Sequence, residues 1–133
     1  MSNEYKDWKN DIRVTMNGIT YELKLLPDGW VKAFISDLRK ELSDAVGYYV
    51  NDFEVFQIKE KYGVMRLYWG WKDRDYTSEE ELDLKNITTE VDKIISKYEK
   101  ISKNTCVVCG KPATKMTTGF IMPMCDYCFD NEV

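Results

Sequence analysis

Four cysteines near the end of the chain are the residues whose types and spacing most clearly indicate chemistry. They form two Cys-x-x-Cys pairs, Cys106 with Cys109 and Cys125 with Cys128, and 15 residues separate the pairs. This spacing is typical of a zinc ribbon, in which two tight turns each present two thiolates to one tetrahedral Zn²⁺ ion. Gly110, directly after the first pair, permits the left-handed backbone that such a turn requires. The pattern therefore predicts a structural Zn²⁺ ion held by all four thiolates.

Disulfide bonds or a redox-active pair are the alternative uses of these cysteines. Thioredoxin-type Cys-x-x-Cys motifs stand alone at a helix start in a β-α-β context, whereas two motifs stand here at ribbon spacing. The N-terminal sequence has no signal-peptide pattern, and no apolar run approaches the roughly 18 residues of a membrane span. We therefore expect a cytoplasmic protein, in which paired cysteines are more often metal ligands than disulfides.

The composition restricts the kinds of function that the chain can have. It has 133 residues, no histidine and a formal net charge of −4. Without histidine, the commonest general base and every Ser-His or Cys-His nucleophile pair are excluded. The sequence has no paired carboxylates and no glycine-rich phosphate loop, and four protein ligands would leave a zinc ion no open position for catalysis. We therefore expect a non-enzymatic protein, and the acidic balance makes nucleic acid a possible but not favoured partner.

An aromatic and basic tract, residues 48–76, is the second candidate site. If its later part forms a strand, alternation places Arg66 and Tyr68 on one face, which Lys59 and Lys61 of a partner strand could join. The alternate positions, on the core side, are Met65, Leu67 and Trp69. An aromatic ring beside fixed positive charge would suit a nucleotide, a phosphate or a single-stranded nucleic acid. The alternative is an ordinary half-buried sheet with cross-strand charge pairs.

Hydrophobic periodicity predicts an α+β fold, with β-hairpins packed on two amphipathic helices and a C-terminal zinc ribbon. Asn17-Gly18 is a favoured hairpin turn and predicts a first pair of strands around it. Apolar positions recur at helical spacing over residues 30–46, with Asp28 as a possible N-cap and Gly47 as a stop. These signals predict the first hairpin and the first long helix.

A second hairpin is predicted from two runs rich in β-branched and aromatic residues, 53–58 and 64–69, with a charged, solvated tip between them. Gly70 could mark a bulge in its second strand. The mixed-charge segment 72–81 is predicted to be a mobile loop, and a one-faced helix is predicted over residues 87–102.

The chain is thus predicted to contain an α+β core domain, residues 1–104, and a zinc ribbon, residues 105–133. Only a short linker without Gly or Pro separates the last core helix from Cys106. We therefore expect the ribbon to dock on the end of that helix rather than to swing freely. Residues 1–13 could form a short amphipathic helix or an edge strand.

The run from Gln57 to Tyr68, which reads QIKEKYGVMRLY, and the helix and ribbon after it resemble a family of small phage and prophage proteins. The family's string is similar to QIKEKFGxLRFY, and the likeness covers roughly residues 27–128. Tyr62 and the pair Val64-Met65 are mild departures from it. The family offers no catalytic residues to transfer, and it implies a phage setting inside a host cell. Because many small phage proteins counter host defence, the resemblance implies a nucleotide-like signal or a host protein as the partner.

The ribbon is also similar to the TraR/DksA-type zinc finger, which docks on bacterial RNA polymerase. The likeness lies in the run from Cys106 to Pro112, CVVCGKP, and in Pro123 shortly before Cys125. The acidic tip of that family's helical hairpin is not evident in this chain. A β-rich segment also stands where the coiled coil of that family would be.

The two kinds of partner predict different surfaces. A small-molecule ligand predicts a concave pocket that contains Arg66 and Tyr68. A protein-occluding inhibitor predicts an exposed apolar patch, for which the candidates are Trp69-Gly70-Trp71 and Phe120-Ile121-Met122. A nucleic-acid module predicts a continuous basic groove.

Overall fold

A computed structural model describes residues 14–16, 18–117, 119 and 121–132. The predictions for residues 1–13, for Asn17 and for Phe120 lie outside the described residues. In the described part, the chain combines helices with three two-stranded antiparallel sheets, and the four cysteines cluster as in a zinc ribbon. The predicted α+β class is confirmed. None of the helices that the structure describes has both the length and the apolar character needed to cross a bilayer.

The first hairpin pairs β1 (Val14–Met16) with β2 (Ile19–Tyr21) in antiparallel register. Gly18 has a φ of 83°, the left-handed conformation that the turn requires. Ile19 and Tyr21 are buried while Thr20 between them is exposed, so alternation directs one face of β2 into the core. The predicted first hairpin is confirmed.

The first helix, α1, continues through three segments: Asp28–Trp30, the π-helical Val31–Ile35 and Ser36–Val46. The residue that caps its start is the extended Pro27 rather than Asp28, which lies inside the first turn. Proline suits this position because its fixed φ needs no adjustment before the helix. The predicted stop is confirmed, since Gly47 follows the helix with a φ of 47°. A 3₁₀ segment, Gly47–Asp52, then leads into the sheet.

The second hairpin pairs β3 (Phe53–Lys61) with β4 (Val64–Trp71) and is longer than predicted. The predicted charged tip belongs mostly to β3, and the turn is only Tyr62-Gly63, with φ values of 54° and 80°. Positive φ at both central residues matches the right-handed twist of the strands and allows so short a turn. The register shift lies at Phe56 of β3, so Gly70, which pairs with Glu54, does not mark the bulge.

The last core helix, α2 (Ser78–Lys103), begins well before the predicted start. Thr77 accepts a hydrogen bond from the Glu80 N–H (3.1 Å), and the Thr77 N–H donates to the Glu80 carboxylate (2.9 Å). This capping box turns the charged segment into the first turn of a helix. Arg74 also holds Asp52 through two hydrogen bonds of 2.7 and 2.9 Å. The prediction of a mobile loop over 72–81 is therefore wrong from Ser78 onward.

Helix α2 lies along the free edge of β4 and contacts it at residues three, four and seven apart, which lie on one side of the helix. Along the helix, these contacts join Trp71 to Thr88 (3.0 Å), Trp69 to Asp92 (3.3 Å), Arg66 to Glu99 (3.4 Å) and the Met65 N–H to Ser102 Oγ (2.8 Å). They protect a strand edge that would otherwise be open. Beside this stripe, Val91, Ile95 and Tyr98 are buried against α1 and the sheet.

Candidate metal centre and outer sheet face

The sulfur atoms of Cys106, Cys109, Cys125 and Cys128 all lie within 4.8 Å of one another. The Sγ atoms of Cys109 and Cys125 are 3.6 Å apart. Four sulfurs around a tetrahedral ion at about 2.3 Å would be separated by about 3.8 Å. The cluster therefore has the dimensions of a four-thiolate metal site, and the predicted metal ligands are brought together.

Two backbone turns place these thiols. The Gly110 N–H donates to the carbonyl of Cys106 (3.0 Å), and Gly110 has a φ of 84°, as expected for the end of a ribbon turn. In the second turn, the Cys128 N–H points at the Cys125 sulfur (3.4 Å). Helix α3 (Asp126–Glu132) starts at that turn, and two short strands, β5 (Lys115–Met116) and β6 (Pro123–Met124), form the hairpin between the turns.

The thiols differ in how easily they lose a proton. Burial acts to raise the pKa of Cys106, but the N–H groups at Cys109, Cys125 and Val108 outweigh it and bring that pKa to about 6. Burial raises the pKa of Cys128, and the neighbouring thiols add to the rise. A cluster of buried thiols that cannot all ionise alone becomes fully deprotonated only when a cation neutralises it. The donor set therefore fits a thiophilic metal ion.

The ribbon is fixed to the start of α1 by close backbone contacts. The Gly29 N–H donates to the carbonyl of Val107 (2.8 Å), and the buried Trp30 indole donates to the carbonyl of Thr105 (2.9 Å). A Cβ atom on Gly29 would lie only 2.2 Å from the carbonyl oxygen of Cys106. Only glycine allows this approach, so the first cysteine turn rests directly on the helix.

The ribbon also contacts the tip of the second hairpin and the end of α2. A Cβ atom on Gly63 would lie 2.8 Å from the carbonyl oxygen of Ile121. At the helix end, the Thr105 hydroxyl donates to the carbonyl of Ile101 (2.7 Å), and the Ala113 N–H donates to that of Asn104 (2.8 Å). The ribbon thus contacts three elements of the core. The division into domains at residue 104 stays a prediction.

The predicted ligand residues share what we call the outer face, the side of the β3–β4 hairpin turned away from Met65 and Leu67. Lys59 lies directly opposite Arg66, and Lys61 lies opposite Val64. Tyr68, 45% exposed, lies beside them, while Met65 and Leu67 are buried, as the alternation predicts. The Arg66 side chain remains 41% exposed although it also meets Glu99.

A cleft of about 280 Å³ opens elsewhere, where β2 approaches the start of β3. Its lining includes Thr20, Asn51 and Lys72, but neither Arg66 nor Tyr68. The part of the outer face that carries Arg66 and Tyr68 therefore lies outside this cleft, although Glu54 and Phe56 of β3 line it. This cleft is therefore not the concave pocket around Arg66 and Tyr68 that a small-molecule ligand predicts.

Two aromatic features differ from the sequence-based expectation. Trp69 and Trp71 are half-buried, and Trp69 stacks on Phe53 with ring centroids 5.1 Å apart, so Trp69-Gly70-Trp71 is not an exposed apolar patch. Phe56, which the sequence did not single out, is 63% exposed, and a Cβ atom on Gly70 would lie 2.9 Å from its ring. The lone glycine was the available signal, because a ring can lie against the sheet only where a side chain is missing.

Comparison of the chain with protein-family models, with curated proteins and with solved structures found no match. The chemistry of the four-cysteine cluster and the outer face must therefore be argued from their own residues.

Proposed function

We propose that this protein is a non-enzymatic binding protein whose outer face takes a nucleotide-like anion and whose four cysteines hold a structural Zn²⁺ ion. The observation that carries the binding proposal is the pair Lys59 and Arg66, two cations directly opposite each other on adjacent strands. Like charges in this position destabilise a hairpin. A bound anion would remove the repulsion, and the exposed ring of Tyr68 beside the pair would stack on a base.

Zinc is the ion that best suits four thiolates in a closed site, since it prefers sulfur ligands and tetrahedral geometry. With four protein ligands it would activate no water, and its role would be to stabilise the ribbon and its contacts with the core. Those contacts include Gly63 in the turn of the hairpin that carries the outer face. The metal would therefore also keep the binding face in place.

The phage setting implied by the sequence resemblance suggests a biological role for this binding. We propose that the ligand is a host defence signal with a base and at least one phosphate, which the protein would sequester in the host cytoplasm. Occlusion of a host protein, including an RNA polymerase contact through the ribbon, is the second candidate. The half-burial of Trp69 and Trp71 weakens it, while Ile121, which is exposed, still favours an apolar contact on the ribbon.

Titration calorimetry on the zinc-loaded chain tests the binding proposal, with cyclic nucleotides and ADP-ribose-type nucleotides as probes. We expect saturable heat with at least one of them, and a weaker response after Arg66→Gln or Tyr68→Ala. Glu99→Gln should tighten binding, because Glu99 competes with the anion for Arg66. Lys85→Gln, at an exposed position of α2, is the matched control and should change nothing. Absence of heat with these nucleotides, and with a short oligonucleotide added as a further probe, would refute the proposal.

A further inference from the structure

We infer that the outer face binds a single-stranded nucleic acid, with successive bases stacked on Tyr68 and Phe56 and the phosphates near Lys59 and Arg66. This inference rests on the proposed function and narrows it from a nucleotide-like anion to an extended strand of at least two nucleotides. Its basis is the arrangement of the exposed rings and the cations along the β3–β4 hairpin.

The two rings come from different strands but lie over neighbouring positions of β4. Phe56 belongs to β3, but the bulge at this residue turns its ring over Gly70 of β4. Gly70 and Tyr68 are two residues apart on one face of β4, and the backbone positions of two such residues are about 7 Å apart along a strand. A mononucleotide has one base and can use one of these rings. Two exposed rings in a row favour two bases of one strand.

The cationic side chains of the outer face follow the two rings along the hairpin. Beyond Tyr68 come Arg66 with Lys59 opposite, and then Val64 with Lys61 opposite. Within the ranges that the structure describes, no ion pair joins Lys59 to an acid, and Glu99 is the one carboxylate within salt-bridge distance of Arg66. At the aromatic end, Glu54 pairs with Gly70, and Glu22 joins it in the lining of the adjoining cleft. The bases would therefore bind at the aromatic end of the face, and the phosphates would bind at its basic end.

The outer face is an open surface, which also favours a single-stranded nucleic acid over a free nucleotide as the ligand. Small ligands bind in clefts that cover most of their surface. The cleft of about 280 Å³ is lined by Phe56, at the aromatic end of the face, but not by Tyr68, Arg66 or Lys59. An open row of rings and cations is instead the usual surface for single strands, whose affinity is shared among several weak contacts. Local charge on this face can serve such a ligand although the whole chain is acidic.

Fluorescence anisotropy on the zinc-loaded full chain tests the inference, with labelled eight-nucleotide uridine RNA and thymidine DNA as probes and unlabelled UMP as competitor. We expect at least one oligonucleotide to bind, and UMP to compete at least a hundredfold less well than the same unlabelled oligonucleotide. Binding should weaken with salt, with a logarithmic slope of about −1.4 if two phosphates are contacted. Equal competition by UMP would overturn the extended strand and leave the proposed function standing. No binding of either kind would overturn both.

Three variants and two matched controls locate the bound nucleic acid. Phe56→Ala should weaken oligonucleotide binding about tenfold, whereas Tyr127→Ala, which removes a 74% exposed ring from the ribbon, should not. Gly70→Ala should act like Phe56→Ala, because the new methyl group displaces the ring without changing any charge. Lys59→Gln should reduce the salt dependence, whereas Lys85→Gln should not. Thermal melting checks that each variant folds, and unchanged binding by folded Phe56→Ala would overturn the inference.

Discussion

The α+β core and the ribbon are stabilised by different forces. The core buries a continuous set of large apolar side chains, among them Trp30, Leu38, Leu42 and Met65. The buried cluster of the ribbon consists of Cys106, Met124, Cys125 and Cys128, so most of its buried side chains are the proposed metal ligands themselves. The comparison indicates that a metal ion held by these thiols would replace, in the ribbon, the hydrophobic burial that stabilises the core. The two regions should therefore respond differently to the same kinds of change.

Loss of the metal should have the largest effect, and it should be confined to the ribbon. Cys125→Ser removes one of four ligands, and zinc binding is worth an apparent ~10–16 kcal/mol in small zinc modules. We expect zinc to be lost and the amide signals of the ribbon to collapse in NMR spectra, while those of α1 and β3 persist. The exposed Ser36→Ala variant is the control. A Cys125→Ser chain with native ribbon signals would contradict the metal-held ribbon.

A cavity in the core should have the next largest effect and should act on the whole domain. Leu42 is fully buried on α1, and Leu→Ala changes at such sites cost about 2–5 kcal/mol. Urea unfolding of Leu42→Ala should show this loss, while zinc content per folded chain stays unchanged. If zinc were lost together with stability, the two regions would not be separable in the way described.

A change at the contact between α1 and the ribbon should lower stability by an intermediate amount. Gly29→Ala would gain up to about 1 kcal/mol of helix propensity. Its methyl group would, however, meet backbone of the first cysteine turn at 2.2 Å. The clash should dominate, with a net loss of about 1–3 kcal/mol in urea unfolding and faster hydrogen exchange at the Val107 contact. A more stable Gly29→Ala chain would show that the ribbon does not rest on α1.

An exposed ion pair should have the smallest effect. A hydrogen bond from Arg74 lowers the pKa of Asp52 below its ordinary 3.8, so this pair contributes stability above that pH and loses it as the pH falls through the lowered pKa. Asp52→Asn should lower Tm at pH 7 by at most a few degrees. The difference between the two chains should shrink below pH 3.8, even though acid also strips metal from thiolates in both. A difference in Tm that grows as the pH falls would contradict a stabilising ion pair between Asp52 and Arg74.

Local patterns in the sequence predicted the parts of the molecule that depend on local chemistry. The four cysteines, the Asn17-Gly18 hairpin and the helix ending at Gly47 all follow from spacing or turn preference. The start of α2 could also have been predicted, because Thr77 and Glu80 have the spacing of a capping box. The mixed charge of the segment instead led to the prediction of a loop.

Other features depend on residues that are distant in sequence. Nothing near Gly29 indicates that the carbonyl of Cys106 will lie against it, and nothing near Phe56 indicates that its ring will cover Gly70. The pairing of Lys59 with Arg66 follows only from a register set by the Tyr62-Gly63 turn. These long-range approaches fix the ribbon and build the outer face, and a single sequence does not display them.

X-ray absorption at the zinc edge, with metal analysis of the same sample, tests most directly whether the four cysteines form a structural metal centre. We predict one zinc ion per chain surrounded by four sulfur atoms at about 2.3 Å, with no oxygen or nitrogen ligand. Zinc bound by a mixture of sulfur and oxygen would contradict the closed site. A folded chain that contains no metal and has its cysteines paired as disulfides would contradict the account as a whole.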